Sequence, residues 1–428
     1  MSDPSAAQPE RQTRLAAVDL VVVGAGAAGL AAAIFAARRA PALTVLCLDG
    51  ARLPGAKILV SGGTRCNVTN REVDERDFRG GSPRLVRRVL RAFPAPRAAA
   101  FFEELGVRLH EEEGGKLFPD TNRARTVLDA LLNEAERRRI EIRPSSRVRD
   151  LTASDDGFVV STGETMWRAR FVVLATGGRS LPKTGSDGFG YELARRLGHG
   201  YVDTTPALAP LVLDGDVHRD LAGVSHAVAL TCEAGEGRVR VEGSLLWTHF
   251  GISGPAALDA SRHWHRGRLE GRTGRLWIDV CPGHSAENLD AWLLAQRESR
   301  PRALVVTVLA GLLPAAVAAA WSRACGLPES MTMSHLTREQ RRAVVQALHE
   351  RELVVRDSRG YNYAEVTAGG IPLNDVDVAS MESRICPGLY LVGEILDVDG
   401  RLGGFNFQWA WSSAWVAGQA IGHRSAAQ

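Results

Sequence analysis

Paired cysteines are missing from this 428-residue sequence, whose six cysteines are scattered with no C-x-x-C arrangement. Their absence argues against a zinc site or other metal site and against a disulfide framework, and it is typical of a protein of the reducing cytoplasm. Uncharged apolar runs of membrane length are missing too, because Gly24, Gly26 and Gly29 interrupt the apolar stretch 18–37. We therefore expect neither a leader peptide nor a membrane-spanning segment.

A strong charge of one sign is also lacking, because the formal net charge is only +3. The basic excess lies in the N-terminal half and includes Arg84, Arg87, Arg88 and Arg91, which helical spacing would place on one exposed face. Such a face is either an ordinary solvated surface or a contact for a phosphate-rich partner.

The order of patterns predicts an α/β fold with an insertion. Residues 1–17 are polar and predict a disordered tail. Strand and helix patterns alternate over 18–200 and return over 361–424, which indicates one Rossmann-like domain built from both ends of the chain. Residues 201–360 contain short apolar runs between turns and then helical patterns, and they predict an inserted domain that is β-barrel-like and helical. No internal repeat is visible.

Local patterns also predict individual elements. They place antiparallel strands within 206–247, helices at 84–93, 95–105, 123–139, 285–325, 336–350 and 406–422, and strands near 141–149, 158–162 and 171–175. Thr337 is a candidate N-cap for the helix that follows it.

The stretch DLVVVGAGAAGLAAAI at 19–34 is a nucleotide-binding fingerprint. Gly24 permits the tight turn after the strand, Gly26 lets the backbone approach a pyrophosphate, and Gly29 lets the helix pack closely. Asp49 ends the next strand at the distance expected of a carboxylate that binds ribose hydroxyls.

Two later strand ends favour FAD over NAD as the resident dinucleotide. FVVLATGG at 171–178 and GLYLVGEILDVDG at 388–400 are buried strands that end in glycine-containing turns. Ligands lie at such strand ends in open α/β sheets. FAD is long enough to contact both motifs and the fingerprint, whereas an enzyme that binds only NAD needs no third contact so far along the chain.

Two further segments belong to the predicted site. GAKILVSGGTRCNVTN at 55–70 offers Lys57 and Arg65 as cations for a pyrophosphate or an anionic flavin. GGFNFQWAWSSAWVAG at 403–418 begins a helix whose positive dipole end would stabilise charge on reduced flavin. The predicted FAD contacts are Gly24, Gly26, Ala28, Gly29, Asp49, Lys57, Ser61, Gly62, Gly63, Arg65, Cys66, Asn67, Val148, Ala175, Thr176, Gly177, Gly393, Glu394, Asp397, Gly403, Gly404, Phe405 and Asn406. Core packing is the expected role of Trp409, Trp411 and Trp415.

With these motifs together, and with THFGISGP at 248–255 and AEVTAGG at 364–370, the chain resembles the YhiN-like (BaiN/RdsA) family of bacterial NAD(P)/FAD-dependent oxidoreductases over about residues 18–422. The resemblance implies a split FAD domain with a β-barrel-like and helical insertion. It also implies reduction of conjugated C=C bonds, in an enone of bile-acid metabolism or in uracil of large-subunit ribosomal RNA, which gives dihydrouridine. Some relatives are assigned as aminoacetone oxidases. Asp49 stands where many such flavoproteins have Glu.

Reduction of a C=C bond by flavin needs a proton as well as a hydride. Cys66 and His249 are the candidate proton donors, although packing and structural roles are the alternatives for both. Thr248 and Ser253 are candidates for orienting substrate carbonyls, and Tyr363 and Thr367 fall where the chain returns to the FAD domain. No second G-x-G-x-x-G is present, so we expect NAD(P)H to bind transiently as electron donor. TGSDGFG at 184–190 is glycine-rich but follows no clear strand.

Three function classes stay open from sequence. The first is a reductase of a conjugated C=C bond, acting on ribosomal RNA or on a small enone. The second is an oxidase of a small amine or aminoketone. The third is a non-catalytic RNA-binding factor stabilised by FAD. Neither the choice between NADH and NADPH nor the oligomeric state follows from the sequence.

Overall fold

A computed structural model describes residues 16–234 and 237–426. The described chain divides into two compact units. Of the described residues, the first unit contains 16–178, 183–202 and 369–426, and the second contains 179–182, 203–234 and 237–368. Most of the tail predicted at 1–17 lies outside the described residues, but residues 16 and 17 already belong to a strand.

The first unit alternates strands and helices. Its strands are β1 (Ala16–Val23), β2 (Val45–Leu48), β3 (Thr69–Asn70), β4 (Phe78–Gly80), β5 (Leu109–Glu112), β6 (Lys116–Pro119), β7 (Glu141–Arg143), β8 (Asp150–Ser154), β9 (Gly157–Ser161), β10 (Met166–Leu174), β20 (Val376–Asp377), β21 (Glu382–Ser383), β22 (Leu389–Leu391) and β23 (Val398–Gly400). Its helices are α1 (Ala27–Arg39), α2 (Ala56–Val60), α3 (Pro83–Ala92), α4 (Ala95–Glu104), α5 (Ala124–Arg137), α6 (Phe189–Arg196) and α12 (Phe405–Ala426).

The second unit contains strands at both ends of its sequence and most of its helices between them. The strands are β11 (Val202–Ala207), β12 (Leu211–Leu213), β13 (Ser225–Ala234), β14 (Gly237–Thr248), β15 (Gly251–Ser253), β16 (Leu276–Asp279), β17 (Arg351–Leu353), β18 (Val355–Ser358) and β19 (Val366–Gly370). The helices are α7 (Pro255–Leu269), α8 (Ala286–Ser299), α9 (Val305–Leu309), α10 (Ala315–Ala324) and α11 (Arg338–His349).

A mainly parallel sheet forms the centre of the first unit. Its strand order is β20-β21-β22-β10-β1-β2-β7, with β9 and then β8 attached along β10. The strands β22, β10, β1, β2 and β7 pair in parallel, and the first four of them are almost wholly apolar at their carboxyl ends. Such runs are typical of strands covered on both faces. The predicted α/β class is confirmed.

A seven-stranded sheet of order β17-β16-β13-β14-β15-β12-β18 organises the second unit, and the pairs that build it are antiparallel. Its core includes Trp247, Trp264 and Trp321, all almost fully buried. The strands predicted within 206–247 are confirmed. Among the described residues, no helix is both long and apolar enough to cross a membrane.

Individual elements match the sequence patterns to different degrees. Thr337 caps α11 as predicted, in a capping box with Gln340. The helical pattern predicted over 285–325 is confirmed as three separate helices, α8, α9 and α10. They are separate because Pro301 and Pro314 cannot continue a helix. The strand predicted near 141–149 ends already at residue 143.

Candidate functional site

Four adjacent parallel strands of the first unit end at the same edge of the sheet. Val23 of β1 lies opposite Leu48 of β2 and Leu174 of β10, and Leu174 lies opposite Leu391 of β22. The residues that follow these ends belong to the glycine fingerprint, to the Asp49 position and to the two later strand motifs. Motifs from both ends of the chain therefore meet where α/β proteins bind their ligands.

The glycine fingerprint is built as a tight strand-to-helix turn. A Cβ on Gly24, whose φ is +102°, would lie 2.5 Å from the Ala175 carbonyl oxygen. A Cβ on Gly29 would lie 1.8 Å from the carbonyl oxygen of Gly24. A Cβ on Gly26 would meet no described atom within 4 Å, and Gly26 begins α1 without a side-chain cap. The first N–H groups of α1 therefore offer a place for an anionic pyrophosphate.

Asp49 lies directly beside this turn. Its carboxylate accepts hydrogen bonds from the backbone N–H groups of Ala25 at 2.6 Å and Ala51 at 2.7 Å. Burial raises the pKa of this carboxyl group, and the two backbone hydrogen bonds oppose the rise. The Asp49 carbonyl oxygen accepts from Ser146 N–H at 2.7 Å, two residues before the buried Val148. A carboxylate fixed at this strand end is suited to bind ribose hydroxyls.

The segment 182–190 also belongs to this end of the site, although the sequence reasoning did not include it among the FAD contacts. A Cβ on Gly185 would lie 3.2 Å from the Ala51 Cβ, and a Cβ on Gly177 would lie 2.6 Å from Ser186 Oγ. Ser186 Oγ is buried and has no hydrogen-bond partner within the described ranges. The serine and glycine content of TGSDGFG was the signal that could have identified it.

Thr176 packs against the same segment, because a Cβ on Gly190 would lie 1.8 Å from its hydroxyl oxygen. Arg147 forms an ion pair with Asp187, and its guanidinium lies 4.8 Å from the centre of the Phe189 ring. The strand end at Ala175–Gly177 and the segment after it are thus held beside the Asp49 end of the sheet.

Gly393 joins the third motif to the first. A Cβ on Gly393 would lie 2.7 Å from the Ala28 Cβ, so the end of β22 touches the first turn of α1. The Gly393 N–H donates to Ser413 Oγ at 3.0 Å, and its carbonyl oxygen accepts from Trp409 Nε1 at 3.2 Å.

The two predicted cations both face carboxylates. Lys57 forms an ion pair with Glu394, a residue 337 positions away in the sequence. Arg65 pairs with Glu112 at 2.6 Å, and its guanidinium lies 4.2 Å from the centre of the Phe118 ring. Their charges are therefore already balanced in part within the protein, which the sequence reasoning did not foresee.

The loop 61–67 has a tightly coiled backbone. Gly62, Gly63, Thr64 and Cys66 all have positive φ, at 53°, 65°, 70° and 63°. Cys66 is fully buried, and its burial raises the thiol pKa to about 12, against a smaller opposing effect of a hydrogen bond with Ser61. The thiol is therefore neutral near pH 7 and has no access to solvent.

Asn67 lies where this loop meets the start of α12. Its Oδ1 is buried and lacks a hydrogen-bond partner in the part of the chain that the structure describes. A Cβ on Gly404 would lie 2.8 Å from that oxygen, and Asn70 Nδ2 donates to the Gly403 carbonyl at 3.0 Å. The glycine pair and the loop 61–67 are thus in direct contact.

Two of the predicted contacts at the start of α12 have side chains engaged elsewhere. Asn406 accepts from Gly400 N–H at 2.8 Å and donates to its carbonyl oxygen at 2.9 Å. Phe405 is fully buried against Phe78, with ring centres 6.2 Å apart. Backbone N–H groups are what these residues can offer a cofactor. The backbone of Asp397 is also engaged within the protein, because its carbonyl oxygen accepts a hydrogen bond from Gly81 N–H at 2.7 Å.

FAD fits the residues present at this edge. The site combines an uncapped helix start, a carboxylate at the ribose position and two buried polar atoms, Ser186 Oγ and Asn67 Oδ1, that have no partner among the residues described. Native proteins rarely leave such atoms unsatisfied. The first lies beside the Asp49 end, where the adenosine would bind, and the second beside Gly404, where the flavin would bind.

The second unit carries its own cluster of predicted residues. His249 is exposed, with its ring 5.1 Å from that of Phe250. The Arg359 guanidinium lies 4.8 Å from the Phe250 ring centre and 3.5 Å from that of Tyr363, which is 50% exposed. Thr248 Oγ1 is buried without a hydrogen-bond partner among the described residues.

Thr367 and Ser253 have local roles in the second unit. Thr367 is fully buried, and its hydroxyl accepts from the backbone N–H groups of Arg179 at 2.7 Å and Ser180 at 3.0 Å. Ser253 ends β15, where it pairs with Leu246. Thr367 therefore fixes the backbone of 179–180.

Comparisons with known proteins agree with this description. Residues 18–420 match the family model described as HI0933-like protein Rossmann domain. The chain is 33% identical to a 3-dehydro-bile acid delta(4,6)-reductase of Clostridium scindens, over 94% of this chain and 98% of that protein. It is also 33% identical to a ribosomal RNA dihydrouridine synthase of Escherichia coli, again over 94% and 98%.

A solved structure adds support for the fold alone. The 3-ketosteroid delta1-dehydrogenase of Sterolibacterium denitrificans, in complex with 1,4-androstadiene-3,17-dione, aligns with a TM-score of 0.51 at 13% identity and covers 95% of this chain and 100% of its own. The chain belongs to the HI0933-like family of Rossmann-domain proteins and is an FAD-dependent oxidoreductase.

Proposed function

We propose that this protein uses electrons from NAD(P)H to reduce a conjugated C=C bond, and that its leading substrate is a uracil ring in large-subunit ribosomal RNA, which becomes dihydrouridine. The proposal rests on one observation: the chain is equally similar to a bile-acid reductase and to a ribosomal RNA dihydrouridine synthase, over nearly the whole length of each. Their names describe one kind of reaction, the saturation of a ring C=C bond conjugated with a carbonyl group. A bacterial enzyme that acts on ribosomal RNA would work in the cytoplasm, as the cysteine pattern predicts.

The residues at the sheet edge would hold the cofactor in a fixed order. The N–H groups after Gly26 would bind the pyrophosphate, Asp49 the ribose hydroxyls, and the backbone after Gly404 the pyrimidine end of the flavin. The positive end of the α12 dipole stabilises negative charge at that position. When bound, FAD supplies the hydride that reduces the alkene.

A proton must also reach the second carbon of the reduced bond. His249 is exposed and can exchange protons with solvent, whereas the Cys66 thiol is buried and very weakly acidic. We assign the proton transfer to His249. Thr248, which ends β14 directly before it, is the candidate for orienting the substrate carbonyl. Cys66 then serves as a small packing residue in the loop 61–67.

The electron donor would bind without a nucleotide domain of its own. The glycine-rich segment 184–190, the other candidate for a nucleotide loop, lies against Ala51 and Gly177 at the adenosine end. That position supports its use for FAD, so NAD(P)H would bind transiently over the flavin.

An anaerobic turnover assay tests this function. Purified protein is supplied with NADPH or NADH and with large-subunit ribosomal RNA from a strain that lacks the gene. We expect flavin reoxidation that depends on the RNA and one dihydrouridine formed per nicotinamide oxidised. A variant that cannot retain flavin is the control. No RNA-dependent reoxidation with either donor would contradict the proposal.

A small enone is the second candidate substrate, because the bile-acid reductase is as similar to this chain as the RNA enzyme. The same assay with a steroid enone in place of RNA would reveal it. Rapid hydrogen peroxide production with an aminoketone in air would instead indicate an oxidase.

A further inference from the structure

Helix α3 presents an arginine face to solvent. Arg84, Arg87, Arg88 and Arg91 are all exposed, while Val86, Val89 and Leu90 are buried on the opposite side. The spacing of the arginines places them on one helix face. The sequence alone left open whether this face is merely solvated. We call these four residues the basic face.

Most of the charge on the basic face is not balanced by carboxylates. Arg87 forms an ion pair with Glu75. Arg84, Arg88 and Arg91 have no carboxylate partner among the residues that the structure describes. At 1.5 Å per residue, Arg84 is about 6 Å from Arg88 and about 10 Å from Arg91 along the helix axis. Three unpaired guanidinium groups in a row attract an extended anion rather than a single small one.

The helix begins beside the candidate cofactor site. Gly81, two residues before α3, donates its N–H to the Asp397 carbonyl at 2.7 Å. A Cβ on Gly80 would lie 2.3 Å from the same oxygen. Helix α3 also packs on α12, whose first turn would face the flavin. The start of the basic face is therefore held beside the third strand-end motif, within the same unit.

We propose that the basic face binds the phosphodiester backbone of the RNA substrate and holds it beside the site. The inference rests on the proposed function. Arginine is suited to this role because its planar guanidinium forms paired hydrogen bonds with phosphate oxygens. A small enone would have no use for such a row of cations.

The test compares two triple variants of the whole protein. R84Q/R88Q/R91Q removes the three unpaired charges, and R297Q/R300Q/R302Q removes three exposed arginines from the second unit as a matched control. KM and kcat are measured with large-subunit ribosomal RNA at several salt concentrations. We expect the first variant to raise KM about tenfold or more at low salt, with kcat and flavin content unchanged. The slope of log affinity against log salt should become shallower by about two.

A third variant separates charge from shape. R84K/R88K/R91K keeps the three charges and should recover the wild-type salt slope. Equal KM values in the R84Q/R88Q/R91Q variant and wild type would show that the face is only solvated. An equal rise of KM in both glutamine variants would show a non-specific charge effect, which also overturns the inference.

Failure of the proposed function would look different. In that case the wild-type protein forms no dihydrouridine, but fluorescence anisotropy with the same RNA still tests the basic face. Loss of RNA binding in R84Q/R88Q/R91Q but not in the control variant would support RNA binding by the basic face. Equal binding by the wild type and the two glutamine variants would overturn it.

Discussion

At the scale of single residues, the three glycines of the fingerprint have different physical duties. Gly24 and Gly29 are required by the fold, because a Cβ at either position would overlap with backbone atoms. Gly26 is not, because a Cβ there would meet no described atom within 4 Å. We therefore propose that its lack of a side chain leaves room for the cofactor.

This difference predicts opposite behaviour for two alanine variants. G26A should lower FAD affinity and leave the melting temperature of the flavin-free protein unchanged. G29A should lower both, because its Cβ would overlap the Gly24 carbonyl. Flavin titration and thermal melting of the apoprotein measure the two effects. A G26A apoprotein that melts well below wild type would contradict the assignment of Gly26 to the cofactor.

The two candidate proton donors also give opposite predictions. H249Q should keep the flavin absorbance spectrum and slow substrate-dependent flavin reoxidation, because the exposed imidazole supplies the proton. C66A should reoxidise at close to the wild-type rate, because the Cys66 thiol is fully buried and has no access to solvent. Stopped-flow absorbance with pre-reduced enzyme measures both rates. The reverse result, a slow C66A and a normal H249Q, would return the role to Cys66.

At the scale of elements, Glu134 joins α5 to α1. Its buried carboxylate accepts from Arg38 Nε at 2.7 Å and Arg138 Nε at 2.9 Å, and Arg137 lies 2.9 Å away. Burial acts to raise the pKa of this carboxyl group, but the hydrogen bonds from Arg38 and Arg138 outweigh it and lower the pKa below the ordinary 4.5. The ionised form is therefore the one that stabilises the fold.

Replacing Glu134 by Gln should lower the free energy of unfolding of the first unit by about 1–3 kcal/mol near neutral pH. Because the folded pKa is lowered, the difference from wild type should be constant from about pH 7 to about pH 5 and shrink as the pH falls further. Urea unfolding at several pH values measures it. A difference that grows on acidification would mean that Glu134 is not the stabilising anion. E136Q, a neighbouring exposed position on α5, is the control.

The elements themselves were largely predictable, whereas the pairings between distant residues were not. The fingerprint strand and helix, the Thr337 cap and the burial of Trp409 and Trp411 follow from local patterns and are confirmed. The ion pair of Lys57 with Glu394 joins positions 337 apart, and no local pattern encodes it.

Other parts of the site could not be predicted for the same reason. Ser186 lies in a glycine-rich segment whose sequence is also compatible with a nicotinamide-binding loop. Only the packing of 182–190 reveals that it lies beside Asp49 and Gly177. Asn67 was predicted as a contact. The lack of a partner for its buried Oδ1 became visible only once the loop 61–67 was folded against Gly404.

At the scale of the whole molecule, the proposed roles fall on both compact units. The first unit supplies the FAD edge and the basic face, and the second supplies the exposed His249 with its neighbouring Arg359 and Tyr363. The variants of the two units therefore test separate parts of the proposed function.

The most direct test is mass spectrometry of nucleosides from large-subunit ribosomal RNA, comparing the source organism with a strain that lacks this gene. We predict that dihydrouridine disappears in the deletion strain. It should return with the intact gene but not with a G29A copy, since that variant should have both a lower FAD affinity and a less stable fold. Dihydrouridine that persists unchanged in the deletion strain, or is absent from both strains, would contradict the account and leave a flavin reductase of a small enone in its place.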